Sequence, residues 1–229
     1  MRLVLSIVVL CVVPLAAHGA AQTAARPDFS GYWELRPDSF NVPRAALTPQ
    51  SLKNADAQAT NDAEALSRCA LIGMPGLMDD RAPLDIRHAA SVIGMVAKSP
   101  SSTRYIYVDG RMHPPADELE PTTNGHSIGR WEGETLVVDT VGFNSRGITR
   151  IPGGGYRTPT SHLVERYRLL DGGQRLTVQF TWEDSAVFER PHSYEFQYYK
   201  VRDISEPRVI NCVPNPERTR FLTSGSVAR

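Results

Sequence analysis

The chain has little of what would name it at once. Cysteine is scarce, three in 229 residues, and there is no Cys-x-x-Cys, His-x-His or His-Glu-x-x-His arrangement. A metal would therefore have to be gathered from separate strands, and neither a metal nor another cofactor is expected. Charge of one sign is not in excess: basic and acidic residues number 25 each and form no like-charge block. That balance removes the electrostatic footprint of a nucleic-acid binder or of a protein drawn to an anionic membrane. After residue 15 no apolar run approaches the roughly twenty residues of a membrane-spanning helix. Internal repeats and low-complexity linkers are missing too. Gly153-Gly154-Gly155 has no strand-to-helix transition around it, so it reads as a flexible loop at a barrel mouth rather than a phosphate or dinucleotide loop. What remains is a small-molecule partner and an oligomeric state that the sequence leaves open.

The N-terminus speaks for export. Arg2 supplies a positive start, Leu3 to Leu15 an apolar core, and Ala17-His18-Gly19 or Gly19-Ala20-Ala21 a small-residue cleavage site. Residues 1–21 are read as a signal peptide and 22–229 as one β-rich domain, periplasmic or secreted, of a length that buries a sizeable core. Cys11 falls inside the signal, leaving Cys69 and Cys212. In an oxidising compartment two surviving cysteines are expected to pair as a disulfide.

Along the mature chain, Thr48 caps a helical stretch, Pro49 to Arg68, whose Leu52, Ala55, Ala59, Ala63 and Leu66 form a narrow apolar stripe suited to lying on a larger body. The rest is β-patterned. Asp28–Arg36 comes first, followed by Leu84–His88, Ser91–Ala97, Thr103–Asp109, His126–Glu132, Thr135–Val141, His162–Leu170, Gln174–Asp184 and Ser193–Val201. Glycine at Glu132-Gly133-Glu134 and Asp171-Gly172-Gly173 marks two tight hairpins. Many adjacent strands with one helix imply a mainly β fold, an antiparallel sheet closed into a barrel, with a two-sheet sandwich as the alternative. Trp33 is expected across the barrel floor.

Gly31-x-Trp33 resembles the start of the lipocalins, which implies an up-and-down barrel around an apolar cavity. A wider resemblance rests on DFSGYW at Asp28–Trp33, C-x-x-x-G-M-P at Cys69–Pro75, DGRMHP at Asp109–Pro114 and GHSIGRWEGETLVVDTVGFN at Gly125–Asn144. SHLVERYR at Ser161–Arg168, WED at Trp182–Asp184 and the later Pro191 complete it. Over most of its mature length the chain is similar to a family of exported bacterial proteins of unsettled function, so the resemblance implies an exported single domain and no particular reaction. One departure is Thr122-Thr123-Asn124, where members tend to carry an aromatic.

Alternation assigns faces to the ionisable residues. Tyr105, Tyr107 and Asp109 share one side of their strand, as do His126, Ile128, Arg130 and Glu132 of theirs. Asp139 alternates with Val137 and Val141, and Glu165 sits in the otherwise apolar row Leu163, Tyr167, Leu169. A carboxylate in such a row is driven toward protonation unless paired, which suits it to acid–base work, although a neighbouring arginine would neutralise it as well. Ser127 lies in a strand pattern rather than at a strand-to-helix nucleophile turn, so packing accounts for it. His113, before Pro114-Pro115, reads as packing on proline. Arg111, Arg130 and Arg166 are expected either to orient a ligand or to pair with Asp109, Glu132 and Glu165.

Two functional classes follow. The first is an exported enzyme, a lyase, isomerase, cyclase or hydrolase, using His126, Asp139 and Glu165 for proton transfer on a small, partly apolar substrate. Tyr105, Tyr107, Arg130, Trp131 and Arg166 would contact that substrate. The second is a lipocalin-like carrier whose aromatic residues line a cavity for an apolar or aromatic molecule. Convergence of the three proton-transfer residues around one cavity would favour the enzyme.

Overall fold

A single sheet of nine strands runs in chain order and closes on itself, β9 pairing back onto β1. The computed structural model describes residues 26–70, 72–79, 83–97, 102–201 and 214. The expected signal peptide and Cys212 lie outside the described residues. The strands are β1 (Gly31–Leu35), β2 (Leu84–His88), β3 (Val92–Val96), β4 (Thr103–Tyr107), β5 (His126–Glu132), β6 (Thr135–Val141), β7 (His162–Leu170), β8 (Arg175–Glu183) and β9 (His192–Val201). Closure excludes the sandwich and leaves no free edge. Gly133 turns the β5–β6 hairpin at φ 60°, so Glu132 pairs directly with Thr135.

One junction departs from the antiparallel expectation. β4 and β5 are parallel, with Ile106 opposite Ser127 and Tyr107 opposite Ile128. Two parallel neighbours cannot be joined by a tight turn, so residues 108–125 must run back the length of the strands before β5 begins. The returning end of this crossover is pinned: Thr122 N–H donates to Gly142 C=O at 3.0 Å and Asn144 N–H to Thr122 C=O at 2.9 Å. Gly142, at φ 72°, makes room for Leu119, since a Cβ there would lie 2.7 Å from the leucine side chain.

Period-two alternation sends Trp33, Ile86, Ile93, Ile106, Val138 and Phe180 into the barrel, all fully buried. Trp33 donates its indole N–H to Phe29 C=O at 2.9 Å, which satisfies the polar atom of a sealed ring. A short segment between α1 and β2 also enters the core: Met74, Leu77 and Met78 are fully buried. Tyr198 holds this segment through its hydroxyl, which donates to Met78 C=O at 2.6 Å, and Arg157 Nε donates to Met74 C=O at 2.6 Å. Met74, Leu77 and Met78 thus belong to the same buried core as the inward side chains of the strands.

Helix α1 (Pro49–Ser67) starts where Thr48 accepts Ser51 N–H. Its attachment differs from the expected apolar stripe. Leu52 is 60% exposed and Leu66 and Ala59 also face solvent, while Asp62, Ala63 and Ala65 are buried. Asp62 explains the choice of face, because its carboxylate accepts Thr149 N–H and Oγ–H, each at 3.0 Å, and Arg150 N–H at 3.1 Å. An acceptor that satisfies three donors outweighs the gain from burying Leu52 and Leu66 instead.

Candidate functional site

Strands β4 to β8 carry two polar groups, one on each side of the same wall. The inner group centres on Arg104 and Glu165, exposed by only 1% and 0%. Arg104 Nη1 donates to Glu165 Oε1 at 2.9 Å and Nη2 pairs with Oε2; the same guanidinium reaches Ser127 Oγ at 3.0 Å and Thr140 Oγ1 at 2.9 Å. Tyr167 closes the group by donating its hydroxyl to Glu165 Oε1 at 2.7 Å. Burial beside the carboxylate pushes the Tyr167 phenol well above its usual range, and the attraction of Glu165 raises Arg104 against the cost of desolvation. Each member is charged or hydrogen-bonded by another, and all are sealed from water. Such an arrangement ties four strands, β4 to β7, together inside the core.

The outer group starts at His126. Its Nδ1 lies 2.8 Å from His113 Nδ1, and His113 Nε2 lies 2.9 Å from Asp139 Oδ1. From the other carboxylate oxygen the chain continues, with His162 Nε2 3.0 Å from Asp139 Oδ2 and His162 Nδ1 3.0 Å from Glu183 Oε2. His113, Asp139 and His162 are 20%, 28% and 32% exposed at the side chain, so the chain lies in reach of solvent. Register explains how it forms: His126 is outward on β5, Asp139 two positions from its opposite residue on β6, and His162 directly faces Glu183 between β7 and β8. His113 comes from the crossover, which only the parallel β4–β5 junction brings over this wall.

The electrostatics follow from these contacts. His162, then His113, hold the Asp139 carboxyl below the usual carboxylate range despite partial burial. His162 is pushed up to about 9 by its hydrogen bond to Asp139, offset by burial and reinforced by Glu183. His126 shifts the other way, lowered first by burial. Tyr107 stacks on His126 with ring centroids 5.4 Å apart, and Arg111 in turn sits 3.8 Å over the Tyr107 ring.

The expected convergence of His126, Asp139 and Glu165 is corrected. Glu165 is across the wall from the other two, because Val138, not Asp139, is its partner on β6. His126 and Asp139 meet only through His113, which is a link in the chain and not a proline contact. The substrate-contact set divides as well. Tyr107 touches His126; Tyr105 is 56% exposed on the same face of β4. Arg130 and Arg166 both pair with Glu132, at 3.1 and 2.7 Å, so Arg166 does not serve Glu165. Trp131 packs toward the interior, stacked against Phe29 with rings parallel within 3° at 5.7 Å and against His88 at 6.0 Å, and takes no part in the chain of His126, His113 and His162. Arg111 pairs with Asp109 as expected. Gly125-His126-Ser127-Ile128-Gly129 has the letter spacing of a nucleophile elbow, yet it is continuous strand from His126, with Ser127 Oγ turned inward to Arg104.

Sequence reasoning missed Arg104, His113, His162 and Glu183 as site members. Arg104 was legible, since it alternates with inward Ile106 on β4. His113 had no local signal, because its place depends on the crossover. Among the described residues no group of three or more His, Cys, Asp or Glu side chains is arranged to hold a metal ion, and no helix is long and apolar enough to cross a membrane. No protein-family model matches the chain, and no curated protein matches it significantly.

Proposed function

We propose that the protein is an exported enzyme that uses acid–base chemistry on a small, partly apolar substrate, with His126 as its proton-transfer residue. The observation that carries this reading is the unbroken hydrogen-bond chain from Asp139 through His113 to His126. An ionised carboxylate only accepts, so His113 must donate Nε2–H to Asp139 Oδ1. With His113 singly protonated in this way, its Nδ1 is bare and accepts Nδ1–H from His126. His126 is left with an unprotonated Nε2, the lone pair a general base requires.

When His126 Nε2 takes a proton, its Nδ1–H stays bonded to His113, and Asp139 stabilises the imidazolium through that ring. This is the logic of a histidine oriented by a carboxylate, with one more imidazole between them. His126 has a lowered proton affinity, so it is unprotonated and available at neutral pH. Arg111 supplies positive charge nearby for an anion developing on the substrate, and Tyr107 with Tyr105 offers aromatic surface to its apolar part. Glu165 has no part in this mechanism. The carrier reading has less support, because Trp33, Phe180 and Met74 belong with their neighbours to a single buried core.

The export signal, the resemblance to exported bacterial proteins and a Cys69–Cys212 disulfide belong to the same proposal. Thiol labelling of denatured, unreduced protein tests the disulfide, and two free thiols would reject it. The catalytic part is tested by incubating the mature protein in D2O with small esters, hydroxy acids and enolisable ketones, following product and deuterium uptake by NMR. His126→Ala is expected to lower turnover on the order of 10²–10⁴-fold with unchanged melting. Turnover retained by that variant, or a ligand bound inside the barrel, would overturn the reading.

A further inference from the structure

Beyond His126, the chain continues to a residue that the acid–base reading does not use. We propose that His162 is a positioning residue, an imidazolium wedged between Asp139 and Glu183 that keeps Asp139 turned toward His113 and so fixes which nitrogen of His126 is bare. Its catalytic consequence rests on the proposed function; its structural consequence does not.

Both ring nitrogens of His162 meet carboxylate oxygens, each at 3.0 Å. Carboxylates offer no proton, so both nitrogens must carry one, and a ring protonated on both is a cation. A neutral ring would satisfy one partner and point a lone pair at the other, with repulsion where there had been a charge-assisted bond. The groups that face His162 are Asp139 from β6 and Glu183 from β8, with His113 of the crossover reached through Asp139; its outward neighbour on β7 is Val164, which does not titrate. Two anions against one cation explain why its proton is held to about 9.

The dependence runs through Asp139. That carboxylate has one oxygen on His162 and the other on His113, so the two rings fix its plane between them. Loss of the His162 cation frees Asp139 to turn and weakens the bond that selects the His113 tautomer. The His126 tautomer is then no longer dictated, although His162 touches neither His126 nor the position a substrate would take beside it.

The test uses mature protein labelled with 15N-histidine, comparing wild type with His162→Gln and the milder Glu183→Gln. In wild type at pH 7.5 both His162 nitrogens are expected to be protonated, with titration well above the ordinary histidine range. His162→Gln is expected to move the His113 and His126 nitrogen shifts toward mixed tautomers, and Glu183→Gln to lower the His162 titration while leaving those tautomers in place. Any turnover found should lose an alkaline limb near pH 9 in His162→Gln, with KM little changed. A His162 that titrates near 6.5 in wild type, or wild-type His113 and His126 shifts in His162→Gln, would overturn the proposal. Shifts that move while His126→Ala keeps full turnover would leave the positioning role standing and remove the acid–base reading instead.

Discussion

The inner and outer polar groups differ by a single step along each strand. Ser127 and Thr140 face the sealed Arg104–Glu165 pair, while their neighbours His126 and Asp139 face the half-exposed histidine chain. Both groups are rich in charge and hydrogen bonds, and only burial tells them apart. Inside, where water cannot compensate a lost partner, each group must be matched, and the network is committed to holding strands together. Outside, a proton can enter and leave at modest cost, which is what acid–base chemistry needs. A carboxylate in an apolar row is therefore no guide to catalysis until its partner is known.

The largest expected effect is on the inner side. Glu165→Ala should destabilise by about 3–5 kcal/mol in denaturant unfolding, because it leaves Arg104 charged and buried. Asp139→Asn should cost less than about 1 kcal/mol, since its partners can turn to water. Equal costs would erase the distinction between the two faces. The double change Arg104→Met with Glu165→Leu removes both charges and should recover most of the loss of the single variant, to within about 1–2 kcal/mol of wild type. A double variant as unstable as Glu165→Ala would mean that the pair does more than satisfy itself.

A smaller effect sharpens the outer side. The folded-state proton affinity of His162 is raised to about 9 from an ordinary value of 6.5, so between those limits the folded chain binds more protons than the unfolded one. Its contribution is fully present below 6.5 and lost as pH rises through about 9. Asp139 has the opposite sign, its contribution being lost as pH falls through its depressed range. Melting temperature followed from pH 6 to 10 should decline between 6.5 and about 9 in wild type, levelling off above, and more weakly in His162→Gln. The smallest effect belongs to the exposed pairs: Arg130→Ala should shift stability by less than about 0.5 kcal/mol, and a larger change would show Glu132 to be more than a surface partner.

The fold was more legible than the site, for a physical reason. Each strand buries alternate residues, so its period is written locally, and all the β-patterned runs found strands in the barrel. Two of their connections, β5–β6 and β7–β8, were legible as short glycine turns. The parallel β4–β5 junction was not legible, since residues 108–125 carry no pattern that tells a return crossover from a long hairpin loop. That same crossover delivers His113, and without it His126 and Asp139 have no visible connection. Alternation did place Glu165 in an inward, otherwise apolar row, while Asp139, read as sharing a face with Val137 and Val141, carried no sign that this face was the outer one. The error lay in joining residues from two faces, when Arg104, two positions from inward Ile106, already offered Glu165 a partner within the core.

The central claim is that the outer chain presents His126 as a base with a defined tautomer. The most direct measurement is the protonation state of the two His126 nitrogens, read from 15N-histidine shifts of the mature wild-type protein at about pH 7.5. A protonated Nδ1 with a bare Nε2 is the predicted result; a protonated Nε2 with a bare Nδ1, the commoner form of free histidine, would contradict it.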